Sequence, residues 1–150
     1  MTERVDFYVL KSTNPRDRRM VACRVTEKAY LQDHRVLILN DDMAEAQALD
    51  DLLWTFNERA FVPHQLCVER GSADSATPVH LVLDLEAAPD TDVLVNMTSR
   101  LPANLQRFAR IAEIVDGDEE RRRLGRERFK AYRDLHLSLE THQLDDGGLA

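Results

Sequence analysis

The stretch Arg35-Val36-Leu37-Ile38-Leu39 decides the fold class of this chain. Its last four residues are all apolar, so a strand formed by them has no polar face to turn toward water. Strands of this kind occur in parallel sheets that are covered by helices on both faces. The stretch therefore indicates an α/β protein with a largely parallel sheet.

Short apolar runs on both sides of this stretch indicate further strands. We predict them at residues 5–10, 79–83, 93–97 and 111–115. Longer amphipathic segments separate several of these runs and are typical of helices. Together with the apolar stretch at 36–39, this alternation predicts a single-domain α/β fold in which a mostly parallel sheet is flanked by helices.

The first two helices have recognisable starts. Asn14 followed by Pro15 is typical of a helix cap and a first-turn proline, and Asp41 is expected to cap the second helix. The expected core-facing stripes are Val21, Val25 and Ala29 in the first helix and Leu49, Leu52, Leu53 and Phe56 in the second. A strand, a helix and a second strand in this order form a βαβ unit.

A chain of 150 residues is long enough to bury one substantial core. We expect an α/β domain over residues 1–144 and a flexible tail over 145–150, where the sequence contains Asp-Asp-Gly-Gly. The segment 70–78 is rich in small and polar residues and predicts an exposed loop.

The composition excludes several classes of function. No stretch approaches the ~20 apolar residues that cross a bilayer, and residues 1–10 lack the pattern of a secretion signal, so we expect a cytoplasmic protein without a membrane role. A formal net charge of -7 argues against strong direct binding to nucleic acid as the main activity. Cys23 and Cys67 are isolated, which fits buried thiols in a reducing compartment better than a disulfide framework or a metal motif.

A third helix is indicated over residues 121–133, which include seven basic side chains. At about 100° per residue, Leu124, Ala131 and Leu135 share one stripe, and we expect the opposite side to face solvent. That opposite side carries Arg122, Arg126, Phe129 and Arg133. Guanidinium groups bind carboxylates and the ring offers an apolar contact, so this face suits an acidic peptide with an apolar end. A solvated basic face without a ligand is the alternative interpretation.

The second helix carries an aromatic residue on its polar side. Trp54 lies about 150° from the mean of the leucine stripe, so it needs a partner outside the core. One interpretation is that Phe61, Val62, Pro63 and His64 fold back over the indole. The other interpretation is a protein interface, because tryptophan is enriched at the residues that dominate binding energy.

The sequence contains little that indicates catalysis. The first strand-to-helix turn, residues 11–15, has no glycine, and neither GxGxxG nor GxxxxGK occurs in the chain, which argues against a nucleotide site. Asp41 and Asp42 follow a strand and could hold a ribose or Mg²⁺, but helix capping accounts for an acidic residue there. The histidines, His34, His64, His80, His136 and His142, do not have the spacing of zinc ligands. We therefore predict binding surfaces and neither a cofactor nor a metal.

Eight segments, taken in chain order, resemble those of the chi subunit family of the bacterial DNA polymerase III holoenzyme. They are FYVL at 7–10, ACR at 22–24, EKA at 27–29, RVLI at 35–38, LDDLLW at 49–54, FVPH at 61–64, DVLVN at 92–96 and RERFKAYR at 126–133. The resemblance covers nearly the whole chain, and LDDLLW, FVPH and RERFKAYR are its most specific parts.

The resemblance implies a fold and a set of partners. Members of this family have one α/β domain that resembles mononucleotide-binding folds and has no known catalysis of its own. They bind the psi subunit, where the organism has one, which tethers them to the clamp loader. They also bind the acidic carboxyl-terminal tail of single-stranded DNA-binding protein, and a helicase-like protein is implied as a further partner.

The resemblance also implies which residues bind. The tail site would consist of Val115, Arg122, Arg126, Phe129 and Arg133. Phe129 stands where some relatives have tyrosine, so any hydrogen bond through that hydroxyl would be missing. The surface for psi, or for another partner, would consist of Trp54, Phe61, Val62, Pro63 and His64.

The function expected from the sequence is thus that of a non-catalytic adaptor in DNA replication. One alternative is a nucleotide-dependent enzyme that uses the carboxyl edge of the sheet. Another is direct binding of single-stranded DNA, with bases stacked on Phe129.

Overall fold

The computed structural model describes residues 1–59, 61–88 and 90–144. The strands in this part of the chain are β1 (Arg4–Leu10), β2 (Val36–Leu39), β3 (His64–Leu66), β4 (Val79–Val82), β5 (Val93–Asn96), β6 (Arg110–Val115) and β7 (Leu139–Leu144). The α-helices are α1 (Pro15–Leu31), α2 (Met43–Thr55) and α3 (Glu119–Asp134). Two short 3₁₀ helices, Leu85–Ala87 and Leu105–Arg107, lie in the connections that follow β4 and β5.

All these strands belong to one sheet in the order β3-β4-β2-β5-β6-β1-β7, and every described pairing is parallel. The four residues of β2 are all buried, as the apolar stretch predicted. Helices α1 and α2 cover one face, where Val21 and Leu49 pack with Leu10 and Ile38. Helix α3 covers the other face, where Tyr132 belongs to a second apolar cluster. The expected α/β class with a parallel sheet is confirmed.

The five strands expected from apolar runs are present, with ends that differ by at most one residue from those predicted. Strands β3 and β7 were not predicted, because HQL and LETHQL contain too many polar residues to stand out. Both lie at the edges of the sheet, where one side of the strand is open to water and polar side chains are tolerated. Apolar runs therefore do not predict the two edge strands.

The helix starts follow local hydrogen bonding. Asn14 caps α1, since its side chain accepts a hydrogen bond from the Arg16 backbone N at 3.0 Å, with Pro15 at the first helical position. The expected cap of α2 at Asp41 is wrong by one residue. Asp42 is the cap, and its Oδ1 accepts from the Glu45 backbone N at 2.9 Å.

Cys23 and Cys67 are both free and buried, and burial raises the pKa of Cys23 to about 12. The segment 70–78 contains neither helix nor strand and is mostly exposed, as predicted. None of the described helices combines the length and the apolarity that a membrane crossing requires. The expected flexible tail, 145–150, lies outside the described residues.

Candidate functional site

Helix α3 buries a different face from the one that its leucines predict. Its buried residues are Gly125, Arg128 and Tyr132. Leu135 is 50% exposed, and Leu124 and Ala131 are only half-buried. The prediction that the stripe of Leu124, Ala131 and Leu135 faces the core is therefore wrong. At about 100° per residue, the buried face lies roughly 80° around the helix from that stripe.

A buried carboxylate on β6 accounts for this orientation. Glu113 is fully buried, and its side chain accepts hydrogen bonds from Arg128 Nε at 3.0 Å, Tyr132 Oη at 2.6 Å and Asn96 Nδ2 at 2.9 Å. Burial raises the pKa of Glu113, while these partners act in the opposite direction. A buried charge is tolerated only when it is paired and hydrogen-bonded, so Arg128 and Tyr132 have to face the sheet.

With α3 turned in this way, a pocket of about 180 Å³ opens between the helix and the sheet. We call it the α3 pocket. It is lined by Phe7 and Val9 of β1, Val115 of β6, Arg122, Gly125, Arg126 and Phe129 of α3, and Thr141 of β7. Four of the five residues expected at the tail site, Val115, Arg122, Arg126 and Phe129, thus come together. Arg133 does not line the pocket and is exposed one turn further along α3.

Phe129 does not stand free in solvent as the helical wheel predicted. It is partly buried, and its ring packs edge-to-face against Phe7, with centroids 5.3 Å apart. Gly125 lets the helix approach the strand, since a Cβ at this position would lie 3.1 Å from Val115 Cγ2. The α3 pocket therefore has an apolar floor made by the sheet and by Phe129.

The sequence pattern missed four residues of the α3 pocket. Phe7 and Val9 alternate along β1 and point to the face that α3 covers, so the period of the strand could have indicated them. Thr141 was missed together with β7. Gly125 carries no side chain and gives no signal in a search for binding groups.

Ion pairing divides the basic residues of α3 into two groups. Arg121 pairs with Asp116 at 2.8 Å, Arg123 with Glu120 at 2.6 Å, and Arg128 with Glu113. The second group, Arg122, Arg126, Lys130 and Arg133, has no ion pair with any residue in the described ranges. Two of these unpaired cations line the α3 pocket.

Arg122 is held at the pocket by the protein backbone. Its Nε donates to the Asp116 carbonyl O at 3.2 Å, and its Nη2 lies 3.5 Å from the Leu10 carbonyl O. These carbonyl groups lie at or just beyond the ends of β1 and β6, so the position of the guanidinium depends on the sheet. The arrangement fixes a positive charge next to an apolar floor and is suited to a carboxylate attached to an apolar group.

A second candidate surface lies at the end of α2, on the opposite face of the sheet. Trp54 is 55% exposed and Phe61 is 59% exposed, and their ring centroids are 5.5 Å apart. The ring of His64 lies 4.5 Å from that of Trp54. We call Trp54 and Phe61 the Trp54 surface. The side chain of His64, also expected on this surface, is fully buried. Val62, expected here, is instead buried in the core, and Pro63 is half-buried.

The interpretation that the chain folds back over Trp54 is confirmed in part, and the interface interpretation stays a prediction. The chain does fold back, because Phe61 and His64 contact the indole. About half of the indole nevertheless stays exposed next to another exposed ring. Large exposed aromatic groups in contact with each other are typical of protein interfaces.

The first strand-to-helix turn, where nucleotide-binding folds hold phosphates, is occupied by the chain itself. The Gly117 backbone N donates to the Ser12 carbonyl O at 2.7 Å, and a Cβ on Gly117 would lie 2.2 Å from the Lys11 carbonyl O. Ser12 Oγ in turn donates to the Asp17 carboxylate at 2.6 Å. These contacts leave little room for a phosphate group at the turn.

Three side chains of metal-ligand type come together on β1 and β7. Potential ligand atoms of Asp6, Glu140 and His142 all lie within 4.8 Å of one another, a grouping that sequence spacing did not indicate. Arg4 Nε lies 3.0 Å from the Asp6 carboxylate, and His142 Nε2 lies 2.9 Å from it. Because Arg4 already neutralises Asp6, the group is an ion-pair network at the sheet edge.

Comparison with solved structures places the fold among known ones. T4 UvsW matches with a TM-score of 0.64 and 8% identity, over 96% of this chain and 42% of that chain. The C-terminal domain of S. cerevisiae Dbp5 matches with a TM-score of 0.63 and 12% identity, over 95% of this chain and 90% of that chain. At such low identity the likeness shows the fold alone.

Comparison of sequences is more specific. Residues 1–140 match the family model described as DNA polymerase III chi subunit, HolC. The DNA polymerase III subunit chi of Pseudomonas aeruginosa is 38% identical over 141 residues, which cover 94% of this chain and 96% of the relative. The DNA polymerase III subunit chi of Escherichia coli K12 is 28% identical over 142 residues, which cover 90% of this chain and 94% of the relative. The chain belongs to the family of DNA polymerase III chi subunits.

Proposed function

We propose that this chi subunit is an adaptor of the replication machinery with two docking surfaces. The α3 pocket binds the acidic carboxyl-terminal tail of single-stranded DNA-binding protein. The Trp54 surface docks onto the psi subunit, which links the chain to the clamp loader, or onto a helicase-like protein. As a chi subunit, the chain is an accessory part of DNA polymerase III and not an enzyme.

The observation that carries the proposal is the combination of charge and apolarity in the α3 pocket. Phe7, Val115 and Phe129 form an apolar floor, and Arg122 and Arg126 lie beside it without a carboxylate partner among the described residues. A peptide that ends in an apolar residue presents a side chain and a terminal carboxylate next to each other. The apolar floor can contact the side chain while the arginines bind the carboxylate. Acidic residues upstream in the peptide can then pair with the other unpaired cations of α3.

The positions of the two surfaces support an adaptor. Helix α2, which carries Trp54, packs on one face of the sheet, and α3 packs on the other. A partner bound at one surface therefore leaves the other surface open. The apolar character of the Trp54 surface is suited to a more permanent partner than the small, charged α3 pocket.

The alternative functions have less support. The first strand-to-helix turn is filled by Gly117, which counts against a nucleotide-dependent enzyme. Direct binding of single-stranded DNA requires aromatic faces that are free for stacking. Phe129 is partly buried against Phe7, and the chain has a net charge of -7.

The test is calorimetry with a synthetic acidic peptide that ends in Pro-Phe. We expect one site per chain and weaker binding as salt concentration rises, because the charges are at the surface. The control is a peptide with the same residues in scrambled order, in which the phenylalanine no longer stands at the carboxyl terminus. Equal binding of both peptides would mean that α3 is only a general basic surface, and no binding of either would reject the tail site.

A further inference from the structure

We propose that Glu113 and Arg128 are a positioning pair, which selects the buried face of α3 and so forms the α3 pocket. That this pocket binds the tail is the proposed function above. That the pair sets the orientation of α3 is a separate statement with its own measurement.

The sequence of α3 offers two faces that could be buried. One is the stripe of Leu124, Ala131 and Leu135, the apolar choice for a helix packed on a sheet. The other is the observed face of Gly125, Arg128 and Tyr132, which contains an arginine and a glycine. On apolarity alone the leucine stripe should win, yet Leu135 stays 50% exposed.

Arg128 is held to the sheet side by more than one contact. Its Nε donates to Glu113 at 3.0 Å, and its Nη1 donates to the Ser99 carbonyl O at 3.1 Å, beyond the end of β5. Tyr132, one turn along, donates to the other oxygen of Glu113 at 2.6 Å. These contacts fix the rotation of α3 about its axis, because both side chains must reach the same buried carboxylate.

The orientation matters for the α3 pocket, which depends on the same rotation. Arg122, Arg126 and Phe129 reach Val115 and Val9 only from one flank of the buried face. A turn of roughly 80° that buried the leucine stripe would carry these three residues away from the sheet. Polar pairs in a protein core can select one packing arrangement among several of similar apolarity.

The test replaces the buried carboxylate by an apolar side chain of similar size. In the variant Glu113→Leu, which we call the apolar variant, Arg128 has lost its buried partner and can regain water only if α3 turns, while the leucine stripe is unchanged. The readout of orientation is maleimide labelling of a thiol introduced by Leu135→Cys. Native Cys23 and Cys67 are buried and serve as internal controls for unfolding.

If the pair selects the face, the introduced thiol is labelled rapidly in the otherwise wild-type chain and at least about tenfold more slowly in the apolar variant, as for a side chain that becomes protected. The tail peptide should also bind at least about tenfold more weakly, the loss expected when a charge-assisted hydrogen bond is removed. Leu124→Gln/Leu135→Gln, added to the apolar variant, should restore peptide binding, because the competing stripe is then polar. This variant carries no introduced thiol, since residue 135 is glutamine. The same two glutamines alone should leave binding unchanged.

Unchanged labelling and unchanged peptide binding in the apolar variant would overturn the proposal. Loss of binding that the two glutamines do not restore would also overturn it, since a purely structural defect would behave in this way. If the apolar variant does not fold, Arg128→Lys takes its place. Lysine keeps the charge but cannot reach Glu113 and Ser99 together, so slower labelling of the introduced thiol is expected, and wild-type labelling would reject the role. If the wild type itself does not bind the peptide, the proposed function fails while the labelling still decides the orientation.

Discussion

The indole of Trp54 lies against the imidazole of His64, with ring centroids 4.5 Å apart. His64 is itself held in place, because its side chain is buried and its Nδ1 lies 2.6 Å from the Val62 carbonyl O. Burial raises the pKa of Asp50, and the neighbouring His64 acts against this. The exposed indole is thus held by a rigid support, which lowers the entropy that a partner has to overcome on binding.

Trp54→Ala should leave folding mostly intact, because 55% of Trp54 is already exposed. It should severely weaken capture of the psi subunit, or of a helicase-like partner, since truncation of a dominant interface residue costs about 2 kcal/mol or more. Pull-down with the purified partner, together with a urea titration, measures both effects. Tail-peptide binding at the α3 pocket should not change.

The matched control is the neighbouring Leu53→Ala. Leu53 is 1% exposed, so its truncation should lower the free energy of unfolding by about 2 to 5 kcal/mol. If Trp54→Ala destabilises the fold as much as Leu53→Ala does, Trp54 is a core residue, and the Trp54 surface is not an interface.

Nucleotides should not stabilise the protein. ATP, GTP or NAD with Mg²⁺ at millimolar concentration should leave Tm unchanged, because the first strand-to-helix turn is closed by Gly117 and Ser12. A ligand at 100 times its Kd would add about 2.7 kcal/mol, which thermal unfolding detects easily. A clear rise of Tm with any of these nucleotides would favour the enzyme alternative over the adaptor.

Removal of one member of the buried ion pair should lower the free energy of unfolding far more than replacement of both members by apolar residues. Arg128→Met leaves the Glu113 carboxylate buried without its cation and should cost about 3 to 5 kcal/mol. Burial already raises the pKa of Glu113 in the native fold, and loss of Arg128 removes an influence that lowers it.

The sign of the pH dependence follows from this. A carboxyl group whose pKa is higher in the folded than in the unfolded state binds more protons when folded, so stability falls as pH rises above its unfolded pKa of about 4.3. The loss caused by Arg128→Met should therefore shrink as the pH is lowered toward that value. Urea titrations at several pH values measure it, and a loss that stays constant with pH would mean that removal of Arg128 does not raise the pKa of Glu113.

The fold was largely predictable from the sequence because its signals are local. Val36–Leu39 is apolar throughout, and Asn14 with Pro15 marks a helix start without reference to distant residues. The orientation of α3 was not predictable in this way, because an arginine is normally assigned to the solvent side. Arg128 is buried only because Glu113, 15 positions earlier on a strand, lies beneath it.

The side chains that α3 contributes to the candidate site were accordingly predicted, but neither their orientation nor most of the residues that the sheet contributes. Arg122, Arg126 and Phe129 were grouped correctly by helical spacing, yet they were expected to face away from the sheet. The sheet in fact supplies the floor beneath them through Phe7 and Thr141. A helical wheel contains no information about the surface on which the helix packs, so this half of the site required the structure.

Arg126→Ala should weaken binding of the acidic peptide by about 1 to 3 kcal/mol, the range for a hydrogen bond to a charged group. Arg123→Ala is the matched control, because Arg123 lies on the same helix but is already paired with Glu120 and Glu127. Binding should also decline with salt and level off at the apolar contribution of Phe129 and Val115. Equal losses for the two variants would mean that only the net charge of α3 matters.

The partner of Arg126 can be identified by a double-mutant cycle. If Arg126 holds the terminal carboxylate of the peptide, replacing that carboxylate with an amide should cost about as much as Arg126→Ala, in the range of about 1 to 3 kcal/mol. The two losses should not add, because after the first change the second removes a group whose partner is already gone. Coupling of this kind is typical of groups in direct contact, whereas distant groups are additive. Calorimetry on the four combinations gives the coupling energy, and the same cycle with Arg123→Ala should give none. Full additivity for Arg126 would assign it to the acidic residues upstream in the peptide and leave Arg122, held by the Asp116 carbonyl O at 3.2 Å, as the group that binds the terminal carboxylate.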